Sequence, residues 1–241
     1  MEDKVLDFTY KGVNFHYENT DFSKTTTADT IIVLKPEGFL HMYDQYFNQF
    51  PTSNVLEIGV FEGGSLIYQA LRHPELQFVG IDIRKKSDIV LDHIKRLGLE
   101  DRIKIYYETS QDDEKAIRQI VLENFGDAGF DVVSDDASHL YQLSKSCFEI
   151  VFPLLNDGGF YILEDWAWAH WEGFQSGKWE NQPALTNLLI EIMMLIPSQP
   201  GLMHSLDTFP AHAVMRKKTS GKERLNLDAL IKKRGRELVL V

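Results

Sequence analysis

Val55-Leu56-Glu57-Ile58-Gly59-Val60-Phe61-Glu62-Gly63-Gly64-Ser65 joins an apolar run to a glycine-rich turn. Asn54 to Val60 reads as a buried strand, and Gly64 to Arg72 behind the turn reads as a helix. A glycine turn between a strand and a helix lets a ligand approach the backbone and meet the first helical N–H groups. Its spacing is Gly-x-x-x-Gly-Gly, with Phe61 where a dinucleotide fingerprint has its second glycine. By itself the turn could also be a tight structural corner, and the ligand-binding reading leads only narrowly.

Outward from this unit, strand and helix signals alternate. Gln77 to Ile83 is a second strand, followed by an amphipathic helix from Ser87 to Leu97. Arg102 to Tyr107 is a third, with a helix from Asp112 to Phe125 behind it. Phe130 to Ser134 is a fourth, Leu140 to Leu155 has helical spacing, and the turn Asn156-Asp157-Gly158-Gly159 leads into a fifth strand, Phe160 to Leu163. Near-continuous apolar strands between helices are what a parallel sheet covered on both faces requires. The fold class is therefore α/β, a doubly wound and mostly parallel sheet with its ligand crevice at the carboxyl ends of the strands. A helix from Pro183 to Ile196 and a late antiparallel strand pair, Met203 to Thr208 with Ala211 to Arg216, complete the sheet.

Three pieces follow: an N-terminal extension or lid over 1–50, the main domain over 51–218, and a tail over 219–241. The extension is polar from Asn19 to Asp29 and ends in an aromatic, helix-like stretch from Phe39 to Phe50. The tail carries a short helix and an apolar end, Leu238 to Val241, which with the aromatic stretch suggests a homo-oligomer.

Composition limits the function. The 241 residues are 44% hydrophobic and 25% charged, as in ordinary globular proteins. A net charge of −11 argues against nucleic acid as a partner, because phosphate neutralisation needs a basic surface. The runs Arg216-Lys217-Lys218 and Lys232-Lys233-Arg234 are too short to change that. Cys147 is the only cysteine, so no intrachain disulfide forms and a reducing, cytoplasmic setting is expected. No secretory signal follows Met1, and no run approaches the roughly 18 apolar residues of a membrane span.

Chemistry gathers where strands end. Ser134-Asp135-Asp136-Ala137-Ser138-His139 closes the fourth strand and Leu163-Glu164-Asp165-Trp166 closes the fifth. Adjacent strands lie roughly 4.8 Å apart, so Asp136, Glu164 and Asp165 converge at one sheet edge beside His139. Gathered carboxylates repel unless a cation sits between them, and oxygen ligands suit a hard divalent ion. A neighbouring histidine then has the position of a general base. Taken singly, Asp135, Asp136 or Ser138 could equally cap the next helix. On the other half of the crevice, Asp82 ends the second strand about 20 residues beyond the glycine loop, where an acid accepts ribose hydroxyls. Thr109-Ser110-Gln111-Asp112 ends the third strand and serves equally for an adenine edge or a helix cap. The tryptophan-rich insert, with Trp166, Trp168 and Trp171, reads either as a lid or as packing.

In these motifs the chain resembles class I S-adenosylmethionine-dependent methyltransferases. More narrowly, it resembles the metal-dependent macrocin and mycinamicin sugar O-methyltransferases and the cephalosporin-hydroxylase-like proteins. The matching residues are Glu57-Ile58-Gly59-Val60 with Gly63-Gly64-Ser65, Gly80-Ile81-Asp82, Ser110-Gln111, Asp135 to His139, Asn156 to Gly159, and Glu164-Asp165. Trp171 and Phe174 fit as well, and the resemblance covers roughly Phe39 to Lys218. It implies that Glu57, Gly59 and Asp82 hold S-adenosylmethionine, with Ser110 and Gln111 nearer the adenine and Glu62, Gly63, Ser65 and Asp135 completing the contacts. It implies Asp136, Glu164 and Asp165 as magnesium ligands and His139 as the base. The implied reaction methylates a hydroxyl of a small natural product, with a sugar as the family-based expectation. Ala137 departs from the glycine these enzymes often have there. A nicotinamide-dependent oxidoreductase and a non-catalytic cofactor-binding protein are the alternatives.

Overall fold

The computed structural model describes residues 6–18, 21–35, 37–50, 53–219 and 221–235. Its first elements are β1 (Leu6–Tyr10) and β2 (Val13–Tyr17), an antiparallel hairpin, and β3 (Ile31–Val33), parallel to β2. The two-residue turn Lys11-Gly12 has both φ angles positive, 48° and 78°, the geometry that matches the twist of a tight hairpin. This small sheet was not among the expected elements. Its inner face, Phe15 with Phe8, lies edge-on to Tyr68 of the next large helix, so the extension shares a core with the main domain.

The aromatic stretch becomes two short helices, α1 (Glu37–Met42) and α2 (Asp44–Phe47). Leu40, Tyr43, Tyr46 and Phe47 are buried within the chain, with the Tyr46 ring 5.0 Å from that of Phe160. The stretch thus spends its apolar surface on its own domain. The apolar end Leu238 to Val241 lies outside the described residues.

The main sheet then builds by alternation: β4 (Asn54–Ile58), α3 (Gly64–Arg72), β5 (Gln77–Ile81), α4 (Asp88–Arg96), β6 (Ile103–Tyr106), α5 (Glu114–Phe125), β7 (Phe130–Asp135), α6 (Tyr141–Val151) and β8 (Leu155–Glu164). It ends with α7 (Thr186–Ser198), β9 (Met203–Thr208), β10 (His212–Lys217) and α8 (Leu227–Leu230). The strand order is β6-β5-β4-β7-β8-β10-β9. The pairs from β6 to β8 are parallel, and β10 runs antiparallel to both β8 and β9. This is the expected doubly wound, mostly parallel sheet with its late antiparallel pair.

Leu56, Ile58, Ile81, Val132, Val133 and Ile162 are buried on one face or the other, each stabilising the fold by about 1.5–3 kcal/mol. Asn156 to Gly159 is not a separate turn. It lies within β8, whose register to β7 shifts between Phe130 and Val132, so the extra residues bulge while the strand continues. Since β4 and β7 are central and their order reverses there, the crevice opens above Ile58 and Asp135. Among the described residues, no helix is long and apolar enough to cross a membrane.

Candidate active site

Two adjoining cavities lie at the carboxyl ends of the strands. The smaller, about 260 Å³, is bounded by Gly59, Asp82, Ser110 and Gln111, with Ile81, Ile83 and Leu143 as apolar walls. The larger, about 410 Å³, is bounded by Asp136, His139 and Asp165 under Trp168, Phe174 and Trp179. Phe61, Asp136, Ala137 and Lys178 border both.

The smaller cavity is built by backbone approach. Gly59 has φ 93°, and a Cβ there would lie 2.2 Å from the carbonyl oxygen of Asp136. A Cβ on Gly64 would lie 2.1 Å from the carbonyl oxygen of Ile32 in β3. The glycines therefore admit neighbouring chain: one draws the acidic loop onto β4, the other seats the small sheet on α3. Asp82 Oδ2 accepts from the amides of Val60 (2.9 Å) and Phe61 (2.7 Å), and Oδ1 from Arg84 N (2.7 Å). That carboxylate shapes the glycine loop as well as lining the cavity. Ser110 Oγ donates to Asp112. The Gln111 carbonyl accepts from Ser138 N at 3.0 Å, leaving its buried Nε2 without a protein partner.

The remaining expected cofactor residues, Glu57, Glu62, Gly63, Ser65 and Asp135, line neither cavity. Glu57 is buried, Oε1 has no protein partner, and burial pushes its carboxyl up to about 8 despite Lys35 nearby. Buried donors and acceptors are normally paired, so Glu57 Oε1 and Gln111 Nε2 mark places for a polar ligand. Ser65 hydrogen-bonds Glu57, and Gly63 caps α3 with φ 77°. Glu62 is turned toward the extension: its carboxylate accepts from Thr26 N (2.8 Å) and Arg84 (2.6 Å). Asp135 faces the core and does not border either cavity. It accepts from the Tyr161 hydroxyl at 2.6 Å, and burial raises it to about 7.

The acidic cluster divides in two. Asp136, His139 and Asp165 each offer a ligand atom, all within 4.8 Å of one another. Glu164, 2% exposed, is withdrawn from that group. Its oxygens take the Lys35 ammonium at 2.7 Å each, the Ser134 hydroxyl at 2.6 Å, and the Tyr43 hydroxyl. Lys35 also reaches Asp136 Oδ2 at 2.6 Å. Burial alone would lower the Lys35 ammonium, but Asp136 and Glu164 outweigh it and hold it well above its usual range.

The Lys35 ammonium thus contacts two carboxylates, with Asp165 beside them and out of its direct reach. Asp165 shows the imbalance: burial, then repulsion by Asp136 and Glu164, pushes its carboxyl well up. Two carboxylates and an imidazole with surplus negative charge fit a divalent cation. His139 is held neutral, since burial lowers it to about 3. Its ring hydrogen-bonds the Glu164 backbone, and Nε2 lies 3.6 Å from Asp136 Oδ1. Phe61, His139 and Asp165, all bordering the larger cavity, have φ near 50–56°. Non-glycine residues held there store roughly 1–3 kcal/mol each and cluster at working sites.

Lys35, Tyr43 and Ser134 were not expected from sequence reasoning, nor was Lys178. The signal for Lys35 was a lone lysine closing the apolar run Ile31-Ile32-Val33-Leu34. The tryptophans separate. Trp168 stacks on Phe174 (4.3 Å) and approaches His139 (4.2 Å), whereas Trp166 Nε1 donates to the Phe209 carbonyl on the body of the domain. Trp171 is partly exposed.

Comparison with known proteins agrees with this geometry. Residues 56–166 match a family described as a methyltransferase domain. Mycinamicin VI 2''-O-methyltransferase of Micromonospora griseorubida is 34% identical over 150 residues, 57% of this chain and 34% of that protein. Demethylmacrocin O-methyltransferase of Streptomyces fradiae is 31% identical over 165 residues, 63% of this chain and 38% of that protein. The chain thus spans about a third of the length of these curated relatives. The MycE methyltransferase of the mycinamycin pathway, solved with Mg, SAH and mycinamycin VI, superposes with a TM-score of 0.57 at 26% identity. That superposition covers 77% of this chain and 50% of MycE. The glycine loop, Asp82 and the acidic strand ends thus all lie within the stretch, 56–166, that matches a methyltransferase-domain family, on a sheet that superposes with that of MycE.

Proposed function

We propose that the protein is a magnesium-dependent O-methyltransferase, moving a methyl group from S-adenosylmethionine to a hydroxyl of a small natural product, with a sugar hydroxyl as the acceptor. One observation carries this reading. The cavity beside Asp82 and the cavity beside Asp136, His139 and Asp165 share a border, so a donor in one faces an acceptor in the other. The names of the similar proteins, sugar O-methyltransferases among them, support the same division.

In this reading Asp82 and the loop amides hold the ribose side of the donor. Glu57 and Gln111 offer their unpaired polar atoms to it. Ile83, 72% exposed at the mouth, gains cover from a flat base. Asp136 and Asp165 would hold the cation, with Glu164 available once Lys35 withdraws, and His139 beside them keeps its free ring nitrogen for the proton. When bound, a divalent ion supplies Lewis-acid polarisation of the acceptor hydroxyl and fixes its direction. The neutral His139 imidazole accepts the hydroxyl proton on the ring nitrogen that the Glu164 backbone does not engage. Such general-base help contributes about 10²–10⁴-fold, and alignment of donor and acceptor adds more. The Trp168 and Phe174 walls suit a ring that is apolar on its face and hydroxylated at its edge, as a sugar is. A cytoplasmic setting accompanies the reading, in keeping with the buried free thiol of Cys147.

The test is formation of S-adenosylhomocysteine with glycosylated polyketide acceptors, before and after chelation. Turnover should stop in excess chelator and return with added Mg²⁺. Full turnover in chelator would remove the cation from the mechanism.

A further inference from the structure

The cation that faces the acidic cluster belongs to the chain itself. Lysine is almost never fully buried unless paired, and Lys35 is 5% exposed. Its partners are Asp136, 101 residues away in sequence, and Glu164, 129 residues away. It comes from the segment after β3, whereas the family match that contains the carboxylates begins at residue 56. Tyr43, also from the extension, adds its hydroxyl to the same Glu164 carboxylate. The extension therefore closes onto the metal-binding edge through one ammonium and one phenol.

We propose that the Lys35 ammonium and a divalent cation are alternative occupants of the Asp136–Glu164 carboxylate pair, so that the N-terminal segment competes with the metal. This rests on the divalent-cation reading above. Both oxygens of Glu164 and Oδ2 of Asp136 are taken up by Lys35, leaving only Asp136 Oδ1, His139 and Asp165 facing the larger cavity. Two cations cannot share those oxygens, because positive charges a few ångströms apart in a weakly screened interior repel strongly. Lysine sits on a flexible four-carbon stem and can withdraw without unfolding β3, which ends two residues before it. Leu34, the residue before it, borders the larger cavity, so the segment that carries Lys35 also lines the acceptor side.

The test is Mn²⁺ binding to the full chain, measured from the free-ion paramagnetic resonance signal, for the unaltered protein, Lys35→Met and Lys35→Arg. A competitor that holds the carboxylates in about nine molecules of ten weakens apparent affinity about tenfold, so Lys35→Met should bind Mn²⁺ roughly tenfold tighter or more. Lys35→Arg should stay near the unaltered protein. Lys35→Met should also melt lower without metal and gain more from Mn²⁺ than the unaltered chain gains. Equal or weaker Mn²⁺ affinity in Lys35→Met overturns the competition while leaving the metal reading intact. Absence of Mn²⁺ binding in every protein overturns both. Should Lys35→Met fail to fold, acylation of Lys35 in the unaltered chain, read by mass spectrometry, decides the matter. Mn²⁺ should raise Lys35 modification several-fold, and unchanged modification at saturating Mn²⁺ would overturn the proposal.

Discussion

Asp136→Ala is expected to slow methyl transfer by about a hundredfold or more while leaving S-adenosylhomocysteine affinity within a few-fold. Asp136 is the one carboxylate that both belongs to the cation group and touches Lys35, so its loss removes a ligand and strands a buried ammonium on Glu164 alone. Lewis-acid charge stabilisation is worth several kcal/mol, and each 1.36 kcal/mol is about tenfold in rate. The donor side keeps Asp82, whose oxygens hold the Val60, Phe61 and Arg84 amides independently of Asp136. Asp82→Ala should show the reverse pattern, with cofactor affinity lost first because the glycine loop loses its anchor. The check is calorimetric S-adenosylhomocysteine binding beside steady-state turnover for both variants. Equal loss of cofactor affinity in the two would contradict the division of labour between the cavities.

Gly59→Ala is expected to destabilise the fold by about 3 kcal/mol or more, a fall in Tm on the order of 10 °C for a chain of this size. Two costs combine. The residue sits at φ 93°, and its new Cβ would meet backbone alone: Asp136 O at 2.2 Å, Asp136 C at 2.6 Å and Ala137 Cα at 2.8 Å. No side chain can rotate away to relieve the contact. Relief requires β4 and the acidic loop to part, which also breaks the hydrogen bond from Asp136 N to Ile58 O at 2.8 Å. Gly38→Ala is the control, because nothing lies within 4 Å of the added carbon and its φ is not in the positive range. It should change stability by less than about 0.5 kcal/mol. Thermal unfolding of the two variants side by side checks this, and similar values would contradict the close packing of glycine loop on acidic loop.

The main sheet was legible because its strands are buried on both faces and so read as short apolar runs between helices, as in Gln77 to Ile81 and Phe130 to Val133. The bulged start of β8 was not, since Asn156-Asp157-Gly158-Gly159 has turn composition and only the pairing of Leu155 with Phe130 shows the strand continuing. The N-terminal hairpin did carry a signal, the Lys11-Gly12 pair between two alternating runs, but those runs are short and their burial depends on Tyr68. At the site, the meeting of Asp136, His139 and Asp165 follows from adjacent strand ends and could be reasoned from spacing. The withdrawal of Glu164 could not, because Lys35 and Tyr43 lie more than a hundred residues away and reach it only through tertiary packing. Likewise the glycine pair reads as an opening for a ligand, while the space beside Gly64 is filled by the Ile32 carbonyl.

The most direct measurement is anomalous diffraction from crystals grown with Mn²⁺ and S-adenosylhomocysteine. The expected result is an anomalous peak bonded to a carboxylate oxygen of Asp136, with the cofactor seated against Asp82 and its sulfur facing the larger cavity. A bound cofactor with no anomalous peak at Asp136, or a cofactor seated away from Asp82, would contradict a methyl donor and a cation meeting across this crevice.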